Sequence, residues 1–106
     1  MSQSIVLALG QAVTGPGQWQ SLSPELRNRG FVVALSGANA AASVDIEVSN
    51  DGGRTFATRM SFSGVINSAS DIDSNQPFPS IRHNVRSLSA GATVTTTVTA
   101  TEGQAV

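Results

Sequence analysis

The stretch Ser49-Asn50-Asp51-Gly52-Gly53-Arg54-Thr55-Phe56 lies between two runs that alternate apolar and polar residues. Before it, Val44, Ile46 and Val48 alternate with Asp45 and Glu47; after it, Phe56, Met60 and Phe62 share one parity and Arg59 has the other. Alternation at period two marks a strand with one buried face, and a Gly-rich turn between two such runs marks a hairpin. This hairpin commits the local chain to antiparallel sheet and sets its register. Val44, Ile46 and Val48 are expected to face a core with Phe56, Met60 and Phe62. Asp45 and Glu47 are expected to face out and to pair with Arg59 across the hairpin, for roughly 0.5 kcal/mol.

The rest of the chain reads as strands with almost no helix. Ile5, Leu7 and Leu9 share one face of a first strand, and the apolar Val6 and Ala8 between them suggest burial on both sides. A turn-rich stretch, Thr14-Gly15-Pro16-Gly17, ends at Trp19. Ser23-Pro24-Glu25 through Gly30 carries the signals of one short helical turn. Phe31, Val33 and Leu35 define the next strand, followed by a loop of small residues from Ser36 to Ala42. Gly64 to Pro79 reads as a long irregular segment. The last strands are Ser80–Leu88 and Thr93–Thr101, joined by Ser89-Ala90-Gly91-Ala92. Short strands with frequent turns and no repeat or linker predict a single all-β domain over residues 1–106, a mostly antiparallel, jelly-roll-like β-sandwich.

Composition narrows the function. Charged residues make up 12% of the chain and the net charge is −1, which argues against nucleic acid, a partner that wants a basic patch. All 6 basic residues are Arg; a GC-rich genome accounts for that more simply than a surface chosen for planar contacts. With so few charges, much of the surface must be Ser, Thr, Ala and Asn, which suits a protein packed against neighbours. Cysteine is absent, so there is no disulfide framework and no thiolate metal site. Ser4–Leu9 is too short to span a membrane and lacks a basic lead-in, so neither a membrane partner nor a secretory leader is expected. The chain termini are expected to fray unless something holds them.

No constellation of residues points to catalysis. Ser49–Phe56 matches the Asp-box pattern S-x-D-x-G-x-T-[FW], which resembles the structural hairpins of sialidase-like propellers. The resemblance implies a turn in which Asp51 accepts backbone N–H groups and Phe56 anchors the returning strand; one copy in so short a chain excludes a propeller. Asp71-Ile72-Asp73-Ser74-Asn75 begins like a calcium loop, but Gln76 stands where the loop needs Gly and Arg82 where it needs Glu, so a polar loop is expected and no metal. His83 shares a parity with Ile81 and Val85, which predicts a half-buried, hydrogen-bonded core residue. Trp19 and Phe78 are expected in the core rather than on a sugar-binding platform. Thr93, Thr95, Thr97, Thr99 and Thr101 form an uncharged stripe, either a wet face or a contact with another subunit. The site expectation is therefore no catalytic, cofactor or metal residue, and no enzyme activity.

Phe78-Pro79-Ser80-Ile81-Arg82-His83-Asn84-Val85-Arg86-Ser87-Leu88-Ser89, then Gly91-Ala92-Thr93-Val94-Thr95, resembles a strand pattern of small β-sandwich structural proteins of tailed bacteriophages. Ile46-Glu47-Val48-Ser49-Asn50-Asp51-Gly52 belongs to the same pattern, so the resemblance runs from about Val44 to Thr99. It implies a virion protein without enzymatic activity, made in the host cytoplasm. Its most fitting role is a capsid decoration (cement) protein on the outer shell, with the major capsid protein and other copies of itself as partners. A tail or head-fibre component and a carbohydrate-binding module are the alternatives. Contacts are expected at Ser4–Leu9, at exposed arginines and along the Thr93–Thr101 side; if that side is only a wet face, they are to be sought around Arg27, Arg29 and the Gly64–Pro79 loop.

Overall fold

Phe31 and Val33, Val44 and Ile46, Ile81 and Val85, Val94 and Val98 each occupy alternate positions of their strands, and all are buried. The chain buries them by laying two sheets face to face. The computed structural model describes residues 2–102; Met1 and residues 103–106, where fraying was expected, lie outside the described residues. The strands are β1 (Ser2–Gln11), β2 (Gly15–Pro16), β3 (Gln20–Ser21), β4 (Asn28–Ser36), β5 (Ala41–Ser49), β6 (Ala57–Ile66), β7 (Ser68–Asp73), β8 (Ser80–Leu88) and β9 (Thr93–Thr101). No helix occurs among the described residues.

One sheet has the order β1-β9-β4-β7, and the other β2-β8-β5-β6 with β3 also on β8. Every strand pair is antiparallel. With β2 and β3 taken as one interrupted strand, first pairs with last, second with second-last, and so on to the β5–β6 hairpin. That is a chain doubled on itself and rolled into two sheets, the jelly roll. Leu7, Leu22, Leu26 and Phe62 join the strand residues named above in the core between the sheets.

Four expectations are corrected, each for a local reason. The segment Gly64–Pro79 is irregular only over 74–79: β6 runs on to Ile66 and β7 pairs with β4 from Arg29↔Asp73 to Ala34↔Ser68. Ser23–Gly30 forms no helix; Leu26 N–H bonds Ser23 C=O at 3.0 Å in a single turn, and β4 begins at Asn28. In β1 the ladder shifts register between Val6 and Ala8 and again before Gln11. Gly10 takes φ of 61° there. Each extra residue in a bulge reverses alternation, so Leu7 is buried while Val6 and Leu9 are 49% and 80% exposed. In β6, Ile46 faces Met60 but Glu47 faces Thr58. The extra residue turns Phe56 to the outer side, where it is 52% exposed, while Phe62 stays in the core.

Candidate functional site

The Asp-box hairpin joins β5 to β6 and is held by its own polar groups. Ser49 Oγ lies 2.7 Å from Asp51 Oδ1 and 2.6 Å from Thr55 C=O, and accepts the Gly53 N–H at 2.9 Å. Asp51 Oδ1 accepts the Thr55 N–H at 2.9 Å, and Oδ2 accepts the Thr55 hydroxyl at 2.7 Å. The Thr55 N–H foremost, then the Thr55 and Ser49 hydroxyls, hold the Asp51 carboxyl down at about 2. Gly52 and Gly53 take φ of 75° and 100°, a region glycine enters without penalty. A Cβ on Gly53 would run into the Trp19 indole.

That contact places Trp19 on the outer face of the five-stranded sheet, only partly buried, rather than in the core. The Arg82 guanidinium carbon lies 4.5 Å from the Trp19 ring centroid and 4.6 Å from that of Phe56. The two rings are 5.9 Å apart at 59°. Arg82 Nε donates to Glu47 Oε1 at 2.6 Å, and Asn84 donates to Glu47 Oε2 at 3.2 Å. Asp45 accepts from the Ser61 hydroxyl at 2.8 Å and pairs with Arg86 at 3.6 Å. Asp45 and Glu47 are thus 8% and 5% exposed, not solvated as expected. The arginines that cover them come from β8, the other neighbour of β5, and not from Arg59. Phe78 is partly buried and packs against the core, as expected.

Arg59 instead bonds both Asp73 oxygens, at 2.9 and 3.1 Å. Asp73 also accepts from Gln76 Nε2, and Arg29 Nη1 donates to Gln76 Oε1, both at 2.5 Å. Arg29 caps the 23–26 turn through Leu26 C=O at 3.0 Å and Ser23 C=O at 3.3 Å. Burial alone would raise Asp73; bonds from Arg59 and Gln76 and the charges of both arginines outweigh it and hold the carboxyl below its ordinary value. The residues that begin like a calcium loop are therefore a strand end whose inward carboxylate is taken by arginines. Among the described residues no cluster of three or more His, Asp or Glu could hold a metal ion. Arg29 is fully buried, which removes it from any contact surface.

His83 is fully buried, beyond the half-burial its position suggested. Gln11 fixes its tautomer. The Gln11 Nε2 donates to Val13 C=O and Gly15 C=O at 2.8 and 2.9 Å, so its Oε1 must be the atom 2.7 Å from His83 Nε2. His83 Nε2 therefore carries the proton, and Nδ1 accepts the Thr96 hydroxyl at 2.9 Å. Burial pushes the imidazole down to about 4. The Thr96–His83 pair is closed to solvent at both residues, an arrangement that ties β8 to β9 rather than one open to a substrate.

The outer face of the four-stranded sheet is different in kind. Thr93, Thr95, Thr97, Thr99 and Thr101 point outward from β9, opposite the fully buried Val94, Thr96, Val98 and Ala100. The outward positions of β4 and β7 include Val32, 46% exposed, and Ile72, 68% exposed. A shallow depression opens at Gly30, between Val32, Ile72 and Thr99.

Alternation alone hid the Trp19–Arg82–Phe56 stack, because Phe56 changes side at the β6 bulge. The doubled glycine of the turn carried the one usable signal, since Gly53 leaves the space that Trp19 fills. The Thr stripe stands where expected, and Val32 and Ile72 join it only through strand pairing.

No family model matches the chain, and no curated protein matches its sequence. Among solved structures the chain is similar to the crystal structure of SPBc2 prophage-derived protein YomS. The TM-score is 0.62 at 11% sequence identity, over 94% of this chain and 92% of that one. At that identity the likeness is one of fold.

Proposed function

We propose that the chain is a non-enzymatic structural protein of a bacteriophage virion, a decoration (cement) protein that bridges major capsid subunits on the outer shell. The observation that carries this reading is the shared fold, nearly end to end, with a prophage-derived protein. The phage-like strand pattern between Val44 and Thr99 adds to it. The surface is consistent with the role. Arg29, Arg59, Arg82 and Arg86 are engaged within the fold, so little basic surface is left for nucleic acid. A flat face of Thr, Ser and Val is open for contact. Cement proteins hold a shell through many copies of a modest contact, where multivalency supplies what one interface does not.

The test is the copy number in purified particles of the phage that encodes the chain, by quantitative mass spectrometry. Stoichiometry comparable to the major capsid protein, with shells lacking the protein failing at lower temperature, is the expected result. Absence from particles would overturn the reading, and a far lower copy number would move the protein to a tail or head fibre. One observation favours a second reading. The half-exposed Phe56 beside Trp19 and Arg82 is the kind of aromatic platform on which sugars stack, which suits a glycan-binding fibre component. A glycan array that finds a ligand lost in Phe56→Ala would support it.

A further inference from the structure

The outward face of β1-β9-β4-β7 carries no charged residue at any outward position. Two rows of neighbours cross all four strands. One is Val6–Thr97–Val32–Ser70, and the other is Ser4–Thr99–Gly30–Ile72. On the opposite side of the molecule every acidic side chain of β5 already has a partner, Arg82 for Glu47 and Arg86 for Asp45. The open face therefore offers apolar and hydroxyl groups, with the Asn28 amide at one end and Asp71 at the β7 edge of the depression; no charge stands at an outward position, so its own copy would meet the two rows without charge repulsion.

We infer that this face is a two-fold interface between two copies of the chain, with the axis running along the strands between β9 and β4. The two rows carry the argument. Such an axis keeps each row level and reverses its order. Val6 then stands over Ser70 of the second copy, and Val32 over Thr97 of the second copy. Ile72 stands over Ser4 of the second copy, and Thr99 enters the depression at Gly30 of the second copy. In three of these pairs a larger side chain meets a smaller one, and in the fourth the isosteric Val32 and Thr97 meet; symmetry makes every such contact twice, the self-complementarity that an isologous interface requires. Four strands at their usual spacing and length give a footprint of about 500 Å² per copy, or about 1,000 Å² in all. That is the lower bound for a specific contact, so the dimer is weak and concentration-dependent. This inference stands apart from where in a virion the protein sits: a monomer in solution would refute it and leave the decoration reading untouched.

The experiment uses sedimentation equilibrium and thiol cross-linking on the purified chain. The wild type is expected to dimerise reversibly. Val32→Lys with Thr97→Lys is expected to weaken the dimer about tenfold or more, with circular dichroism and melting showing both variants folded. Gly30→Lys serves as a second variant: φ there is not positive and a Cβ would come no closer than 3.9 Å to any neighbour, so the fold accepts it while the depression is filled. The chain has no cysteine, so trapping is clean. Facing sheets pack about 10 Å apart, beyond direct disulfide reach, so Val6→Cys mixed with Ser70→Cys is expected to give a heterodimer cross-linked by a short bis-maleimide. Val6→Cys alone is expected to give none, by disulfide or by that linker, because the two β1 strands also lie at opposite edges, about 14 Å apart across the strands. A wild type that stays monomeric up to about 1 mM, variants that dimerise equally well, or rapid homodimer trapping through Val6→Cys would each overturn the proposal. The last of these would point to β1 edges pairing instead.

Discussion

At the scale of single residues, two groups make stability depend on pH in separable windows. Asp51 is held at about 2 against an ordinary 3.8, so between those values the unfolded chain binds the extra proton. Stability from this carboxylate is complete above pH 3.8 and is lost as pH falls towards 2. Asp51→Ala is expected to lower the melting temperature clearly at pH 7 and less at pH 2, where about half of the folded wild-type carboxyl is protonated; calorimetry at the two pH values checks this. His83 acts higher. Its imidazole sits at about 4 against an ordinary 6.5, and again the unfolded chain takes the proton first. Stability is complete above pH 6.5 and falls as pH drops to 4, by about 3 kcal/mol in full. Urea unfolding at pH 7.5 and pH 4 is expected to show most of that loss in the wild type. His83→Gln is expected to be less stable at pH 7.5 and nearly flat between the two. A variant that keeps the wild-type slope would remove His83 as its source.

At the scale of elements, bulges decide which side chains reach the core, and they decide what the sequence could reveal. β8 and β9 were legible to the residue because Ile81, His83 and Val85, then Val94, Val98 and Ala100, alternate without interruption. β7 was not, since Ser68-Ala69-Ser70-Asp71-Ile72-Asp73 has one β-branched residue and two acids. Its strand state comes from pairing with β4 and from Arg59 neutralising Asp73, both long-range effects. The candidate surfaces were half legible: the Thr stripe shows in the sequence, but Val32 and Ile72 join it only through pairing. Leu7 and Leu9 show the effect of a bulge most directly. They share parity and residue type, yet Leu7→Ala is expected to cost about 2–5 kcal/mol and Leu9→Ala to stay within about 0.5 kcal/mol. Equal losses in denaturant unfolding would contradict the β1 bulges. The hairpin is testable in the same way. Gly53→Ala combines positive φ with a collision against Trp19, so a loss of more than about 1 kcal/mol is expected. Trp19 is the sole tryptophan, so its fluorescence should shift as the indole leaves Arg82.

At the scale of the whole molecule, the jelly roll closes the first strand on the last. Ser4 Oγ reaches Thr99 Oγ1, 95 residues away, at 3.2 Å, and no local contact makes that pairing for it. Contacts of such separation must wait for the loop between them to close, so folding on the millisecond-to-second scale is expected rather than microseconds; stopped-flow Trp19 fluorescence measures it. The same closure bears on what β1 does. Its sequence, apolar and without charge, reads as an assembly strand, yet the structure gives it two roles on two sides. Inward, Leu7 fills the core and Gln11 sets the His83 tautomer; outward, Val6 and Leu9 face solvent. Deleting residues 2–11 removes both roles and strips the edge from β9, so it is expected to abolish cooperative melting. Loss of assembly in that truncation would then say nothing about contacts. Val6→Asp with Leu9→Asp separates the two. This pair touches only the outward side, so melting should stay near the wild type while occupancy on shells falls. Unchanged occupancy with unchanged melting would remove the outward side of β1 from the contact with the shell, and unfolding by this pair would show that its side chains are not outward at all.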